Sequence, residues 1–176
     1  LKEYGATRIS INPQTFSDQV LKNIGRKHTA RDILDCFAAA RRAGHGNINM
    51  DLIAGLPGDT VEGFRKSLKT AISLEPENIT VHTLTLKRAS NLVVEHRAAA
   101  YDDVARMLES CALLEQAGYV PYYLYRQKGT LQNLENIGWC KPGYEGLYNI
   151  YIMEEVHTIL SAGAGGSTKL VQPGVR

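Results

Sequence analysis

The chain has 176 residues, of which 44% are hydrophobic, enough for one domain with a sizeable core or for part of a larger one. Its 20 basic and 18 acidic side chains leave a net charge of +2, which gives no electrostatic footprint for nucleic acid or for an anionic membrane surface. No apolar run approaches the roughly 20 residues that would span a bilayer. The start at Leu1, with neither Met nor a signal-peptide pattern, implies that the true start of the protein lies upstream. Cys36, Cys111 and Cys140 are 75 and 29 residues apart and match no zinc or iron-sulfur spacing, so reduced thiols of a cytosolic protein are expected, with Cys36 and Cys111 on apolar helix faces.

In chain order, residues 7–14 read as a strand with Ile9 and Ile11 on one face and Arg8, Ser10, Asn12 and Gln14 on the other. A short helix is predicted over 17–24. Thr29 and Asp32 then cap a longer helix that buries Ile33, Leu34, Phe37 and Ala40 and stops at Gly44. The stretch 47–53 is the most informative. Ile48, Met50 and Leu52 share one face, while Asn47, Asn49 and Asp51 share the other, where an exposed strand would more naturally carry Lys, Glu or Thr. Gly55-Leu56-Pro57-Gly58 ends this strand, and Asp59 with Glu62 suggests a capping box for a helix marked by Val61, Phe64, Leu68, Ala71 and Ile72. A third strand is predicted over 78–85. A loop follows with Lys87, Arg88, His96 and Arg97, then one helix through Val104, Leu108, Cys111 and Leu114 to Gly118, and a fourth strand over 120–125.

Strand and helix thus alternate through residue 125, which argues for parallel strands with crossover helices on one side. A doubly wound sheet buries both faces and favours apolar runs, whereas a barrel with a ligand in its lumen tolerates polar inward residues near the carboxyl ends of its strands. No Gly-x-Gly-x-x-Gly follows any strand. The predicted class is therefore α/β, a partial barrel over 1–125, followed by a distinct C-terminal region over 126–176. In that region periodicity places no element. The run 161–167, Ser-Ala-Gly-Ala-Gly-Gly-Ser, could cradle a phosphate or carboxylate through backbone amides.

Taken together, Arg-Ile-Ser-Ile-Asn-Pro-Gln at 8–14, Asn-Ile-Asn-Met-Asp-Leu-Ile-Ala-Gly-Leu-Pro-Gly at 47–58, Tyr-Arg-Gln-Lys at 125–128 and Asn-Leu-Glu-Asn at 133–136 resemble the oxygen-independent coproporphyrinogen III oxidase family, nearest its HemZ type. These are radical S-adenosylmethionine (SAM) proteins with a (β/α)6 partial barrel and a [4Fe-4S] cluster on a three-cysteine loop. That loop is absent here, so the resemblance implies the second half of the barrel plus the start of a C-terminal region, with cluster ligands outside this chain and no cluster bound by the chain alone. It also implies that Gln14 and Asp51 hold SAM through its ribose hydroxyls, that Arg26 pairs with the methionyl carboxylate, and that Ile53 and Thr85 line the adenine side. Such roles suit the chemistry of acceptors for hydroxyls and a guanidinium fork for a carboxylate. From the residues alone, Asp51 reads equally as a buried structural carboxylate, Gln14 as a turn amide and Arg26 as a solvated loop cation.

The sequence departs from the family at Gly129, where relatives tend to have Asn, at Trp139 for Tyr, and at Ser161 for Gly. The implied activity of the complete protein is oxidative decarboxylation of coproporphyrinogen III in haem biosynthesis, with Arg126 and Lys128 as candidates for pairing with tetrapyrrole carboxylates. A haem-binding or haem-delivery protein on the same barrel is the alternative, and would need an axial ligand among His28, His45, His82, His96 and His157. A radical SAM enzyme with another substrate is the third reading. Half a barrel also leaves strand edges unpaired, so self-association or marginal stability is expected.

Overall fold

The computed structural model describes residues 1–84, 101–125 and 135–171. Among these, five strands form one sheet: β1 (Ile9–Ser10), β2 (Ile48–Ala54), β3 (Asn78–Thr83), β4 (Val120–Tyr125) and β5 (Asn136–Cys140). Their order is β1-β2-β3-β5-β4. β1, β2 and β3 are parallel neighbours, as expected, but β5 runs antiparallel to both β3 and β4 and separates them. The helices are α1 (Asp18–Asn23), α2 (Ala30–Arg42), α3 (Val61–Ser73), α4 (Tyr101–Glu109), α5 (Ala112–Gln116) and α6 (Leu147–Met153). Thr85, Arg126 and Lys128, like Lys87, Arg88, His96 and Arg97, fall outside the described residues.

Helices α1 to α5 cover one face of the sheet, and α6 packs against β4. Leu52, Ala54, Ile79, Val81 and Trp139 pack against Phe64, Leu68 and Ala71 of α3, Val104 and Met107 of α4, and Leu114 of α5. Ile48 and Met50, earlier on β2, meet Leu21 of α1 and Ile33 and Phe37 of α2. Each fully buried Leu, Ile, Met or Phe contributes about 1.5–3 kcal/mol of burial free energy, so this face holds most of the stabilising surface.

Local sequence explains most helix ends. Thr29 Oγ1 accepts from Asp32 N at 3.2 Å and Asp32 Oδ2 accepts from Thr29 N at 2.8 Å, the reciprocal box expected there. At α3 the cap falls one residue later than the Asp59–Glu62 pattern suggests: Thr60 Oγ1 accepts from Gly63 N at 3.0 Å, while Asp59 Oδ1 accepts from Thr60 N. The single helix expected over 104–118 is two. Ser110 N and Cys111 N bond to carbonyls three residues back, Met107 and Leu108, and this tighter turn interrupts the α-helix while keeping Cys111 and Leu114 on the core side. Cys36 is exposed, contrary to expectation, because α2 turns Ile33 and Phe37 inward and leaves Cys36 on its flank.

At the amino ends of the strands the sheet is pinned by an ion pair that no sequence pattern announces. Arg41 of α2 donates through Nη1 and Nη2 to Glu77 Oε2 and Oε1, both at 2.9 Å. Glu77 Oε2 also accepts from Ile48 N at 2.9 Å, and Arg41 reaches the carbonyls of His45 and Glu75. Glu77 is only 8% exposed. Glu77→Ala strands both the guanidinium and the Ile48 N–H, and is expected to lower unfolding free energy by about 3 kcal/mol in urea melts. Glu77→Gln, which keeps acceptors in place, is expected to lose less; equal stability of all three proteins would contradict the pinning role.

Candidate functional site

The face of the sheet away from the helices is polar, and register shows which residues share it. Ser10 pairs with Asn49, Asn49 with Asn78, Asp51 with Thr80, and Ile53 with His82. Across β5 and β4, Thr80 is level with Gly138, and Gly138 with Tyr123. Gly138 is needed at its position because a Cβ there would overlap the Tyr123 ring, so the phenol can lie across the sheet toward Thr80 and Asp51.

Asn49, 4% exposed, joins three strands. Its Nδ2 donates to Asp51 Oδ1 at 2.7 Å and to Ser10 Oγ at 3.3 Å, and its Oδ1 accepts from Thr80 Oγ1 at 3.1 Å. A carboxylate can only accept, so the Asp51 contact fixes which end of the amide is nitrogen. Asp51 is half-buried, and its Oδ1 lies 3.8 Å from His82 Nε2, an ion-pair distance beyond hydrogen-bond reach. Its Oδ2 forms no hydrogen bond among the described residues. Burial pushes the Asp51 carboxyl up, but His82 and the Asn49 amide outweigh it and hold the group below its ordinary value, ionised at neutral pH. Burial raises the Tyr123 phenol, with the Asp51 charge adding to the effect, so that side chain stays protonated.

Of the residues singled out by sequence, the structure brings Gln14, Asp51 and Ile53 together. Gln14 N donates to Asp51 O and Gln14 O accepts from Ile53 N, each at 2.9 Å, and Gln14 bridges to Leu52. Gln14 also sits at φ 66°, a left-handed conformation uncommon for a residue with a side chain, and such positions concentrate at ligand sites. Arg26 is exposed in the loop between α1 and α2 and forms no ion pair among the described residues. The 161–167 loop is exposed throughout. His82, Thr80 and Tyr123 complete the polar face. Alternation along 78–83 already separates Asn78, Thr80 and His82 from Ile79 and Val81, whereas the arrival of Tyr123 depends on β5 and had no local signal.

The depressed Asp51 carboxyl has a consequence for acid stability. A group whose folded pKa lies below its unfolded value of about 3.9 contributes stability above that value and loses it as pH falls through the folded pKa. Unfolding free energies of the unmodified protein and of Asp51→Asn are therefore expected to converge as pH is lowered from 6 to below about 4. Asp32, also held low by Thr29, acts alike in both proteins. Parallel curves in urea melts across this range would contradict the assignment.

Comparison with known proteins agrees with this geometry. Residues 1–71 match the family model described as Radical SAM superfamily. The chain is 48% identical over 175 residues to the oxygen-independent coproporphyrinogen-III oxidase-like protein HemZ of Bacillus subtilis, covering 97% of this chain and 35% of that protein. It is 42% identical to heme chaperone HemW of the same organism, covering 94% of this chain and 42% of the relative. Coproporphyrinogen III oxidase (HemN) from Escherichia coli, described as a radical SAM enzyme, superposes with a TM-score of 0.68 at 21% identity, over 95% of this chain and 39% of that one, which establishes the fold as part of the same barrel. The chain spans between a third and a half of the length of these proteins. With this sheet, this polar face and these likenesses, the chain is similar over nearly its whole length to radical SAM proteins of the HemN and HemZ type.

Proposed function

We propose that the polar face holds SAM within a protein of the relatives' full length. The observation that carries the reading is the Asp51 carboxylate: ionised, half-buried midway along β2, with Oδ1 engaged and Oδ2 open as an acceptor. That is the chemistry that vicinal ribose hydroxyls require. Gln14, held beside Asp51 through the backbone, presents a second polar group, and Ile53 offers an apolar edge to the adenine, with Thr85 beside it in the family pattern. Arg26 would take the methionyl carboxylate.

SAM supplies the hydrogen-abstracting radical in this family, and what the present residues do is bind, orient and exclude water. A [4Fe-4S] cluster does not fit them. Cys36 is exposed on α2, Cys111 is buried between helices and Cys140 is buried in β5, and no cluster of three potential ligands occurs among the described residues. Cluster ligation belongs to a part of the protein beyond this chain.

For the whole protein we favour oxidative decarboxylation of coproporphyrinogen III in haem biosynthesis, in the cytoplasm, with Arg126 and Lys128 facing tetrapyrrole carboxylates. The reading is supported by the likeness to HemZ, an oxidase-like protein by name. Haem delivery is the second reading, supported by several relatives named heme chaperones. For that role His82, on the polar face, is the candidate axial ligand among the described residues. No described helix is long and apolar enough to cross a membrane.

In the full-length protein, Asp51→Ala is expected to weaken SAM binding by about 1.5–3 kcal/mol, the range for a hydrogen bond to a charged group, with Asp51→Asn losing less. That corresponds to roughly ten- to more than a hundredfold in calorimetric titration. Unchanged affinity in a well-folded Ala variant would withdraw the site. Turnover of coproporphyrinogen III with reconstituted cluster selects the oxidase reading; absence of turnover with a haem spectrum that changes in His82→Ala selects the carrier.

A further inference from the structure

Arg8 lies immediately before β1, and Ile9 of that strand faces the apolar side, so Arg8 shares the polar face with Ser10. Its Nε and Nη2 atoms are buried and have no hydrogen-bond partner among the described residues. A guanidinium does not shed its proton, so burying it without an anion is costly. Among the described residues, no neighbouring group supplies that anion. Asp51 interacts with Asn49, His82 and Thr80 but not with Arg8, and Glu77 is held by Arg41. Tyr122 and Tyr123 both feel the Arg8 charge, yet burial raises both phenols and keeps them neutral, and Tyr122 Oη already accepts from Asn149 Nδ2 at 2.8 Å.

The position of those tyrosines matters. β1 and β4 are opposite edges of the five-stranded sheet. Five strands spaced about 4.8 Å apart would hold a flat sheet's edges some 19 Å from one another. Long arginine and tyrosine side chains reach over much of that separation, so the Arg8 charge acts on both phenols across the polar face.

We propose that Arg8 is a carboxylate-binding residue of this polar face, holding the carboxylate of a small molecule through a forked pair of hydrogen bonds. The proposal rests on the reading that the polar face binds ligand, and adds a second charged anchor facing Asp51 from the other side of Asn49. Two ligands of this family's chemistry carry the needed group: SAM, through its methionyl carboxylate, and a tetrapyrrole, through its propionates.

The test uses the full-length protein with Arg8→Gln and Arg8→Lys, and calorimetric titration of four probes: SAM, SAM lacking its methionyl carboxylate, coproporphyrin III and its tetramethyl ester. Arg8→Gln is expected to weaken one carboxylate-bearing probe at least tenfold and to leave its carboxylate-free counterpart unchanged. Arg8→Lys, which keeps the charge without the fork, is expected to fall between, and it serves alone if the Gln variant does not fold. A loss confined to the SAM pair identifies the methionyl carboxylate; a loss confined to the porphyrin pair identifies a propionate. If all four probes bind a folded variant as they bind the unmodified protein, Arg8 is a structural cation and the proposal falls, even where Asp51→Ala still weakens SAM. If the unmodified protein binds neither SAM nor coproporphyrin III, this proposal and the reading beneath it fall together.

Discussion

The side-chain amide of Asn49 is the constraint on which the polar half of this structure depends. A strand buried on both faces would normally bring hydrocarbon to both. Here β2 brings an amide and a carboxylate to one of them, and polar groups at that depth are tolerable only when fully partnered. Asn49 answers this by using both of its ends: donors to Ser10 on β1 and Asp51 on its own strand, an acceptor for Thr80 on β3. The result is a carboxylate whose position is set by three strands before any ligand arrives. Such preorganisation reduces the ordering cost that binding would otherwise carry.

The two ends of the sheet are built differently. At the amino ends, Arg41 and Glu77 form a satisfied network that closes on the Ile48 amide, and Asn78 Nδ2 donates to Asn47 Oδ1 and Tyr144 O. Further along, the pairing beside β2 is continued by a backbone bridge between Gln14, at positive φ, and Leu52, and Asp51, midway along the strand, retains an open oxygen. The Arg41–Glu77 pair thus serves stability, while the open oxygen of Asp51 leaves hydrogen-bonding capacity for a ligand.

Alternation made the parallel part of this sheet legible. The parities of 47–53 and 78–83 fix which residues face the helices and which face away, and Thr29 with Asp32 marks the start of α2 without ambiguity. The antiparallel β5 was not legible. Its five residues include Gly138, which weakens any strand signal, and it exists because β3 and β4 pair with it from both sides. The same long-range pairing delivers Tyr123 to Asp51, so that half of the site could not be read locally. The split of α4 from α5 was hidden for a related reason: bonds to carbonyls three residues back change the helix without changing which side chains are apolar. Arg26 and Gln14 mark the remaining boundary of what pattern can supply, since only Gln14 is held in the backbone network around Asp51.

The central claim is that the polar face, not the helical face, is where the adenosyl ligand lies. The most direct measurement is nitrogen-15 NMR of side-chain amides in the full-length protein, titrated with S-adenosylhomocysteine as an unreactive analogue. The account predicts that the Asn49 and Gln14 amide signals shift with saturation while that of Gln116, on α5 at the opposite face, does not. Shifts at Gln116 with Asn49 and Gln14 unmoved at saturating ligand would contradict it.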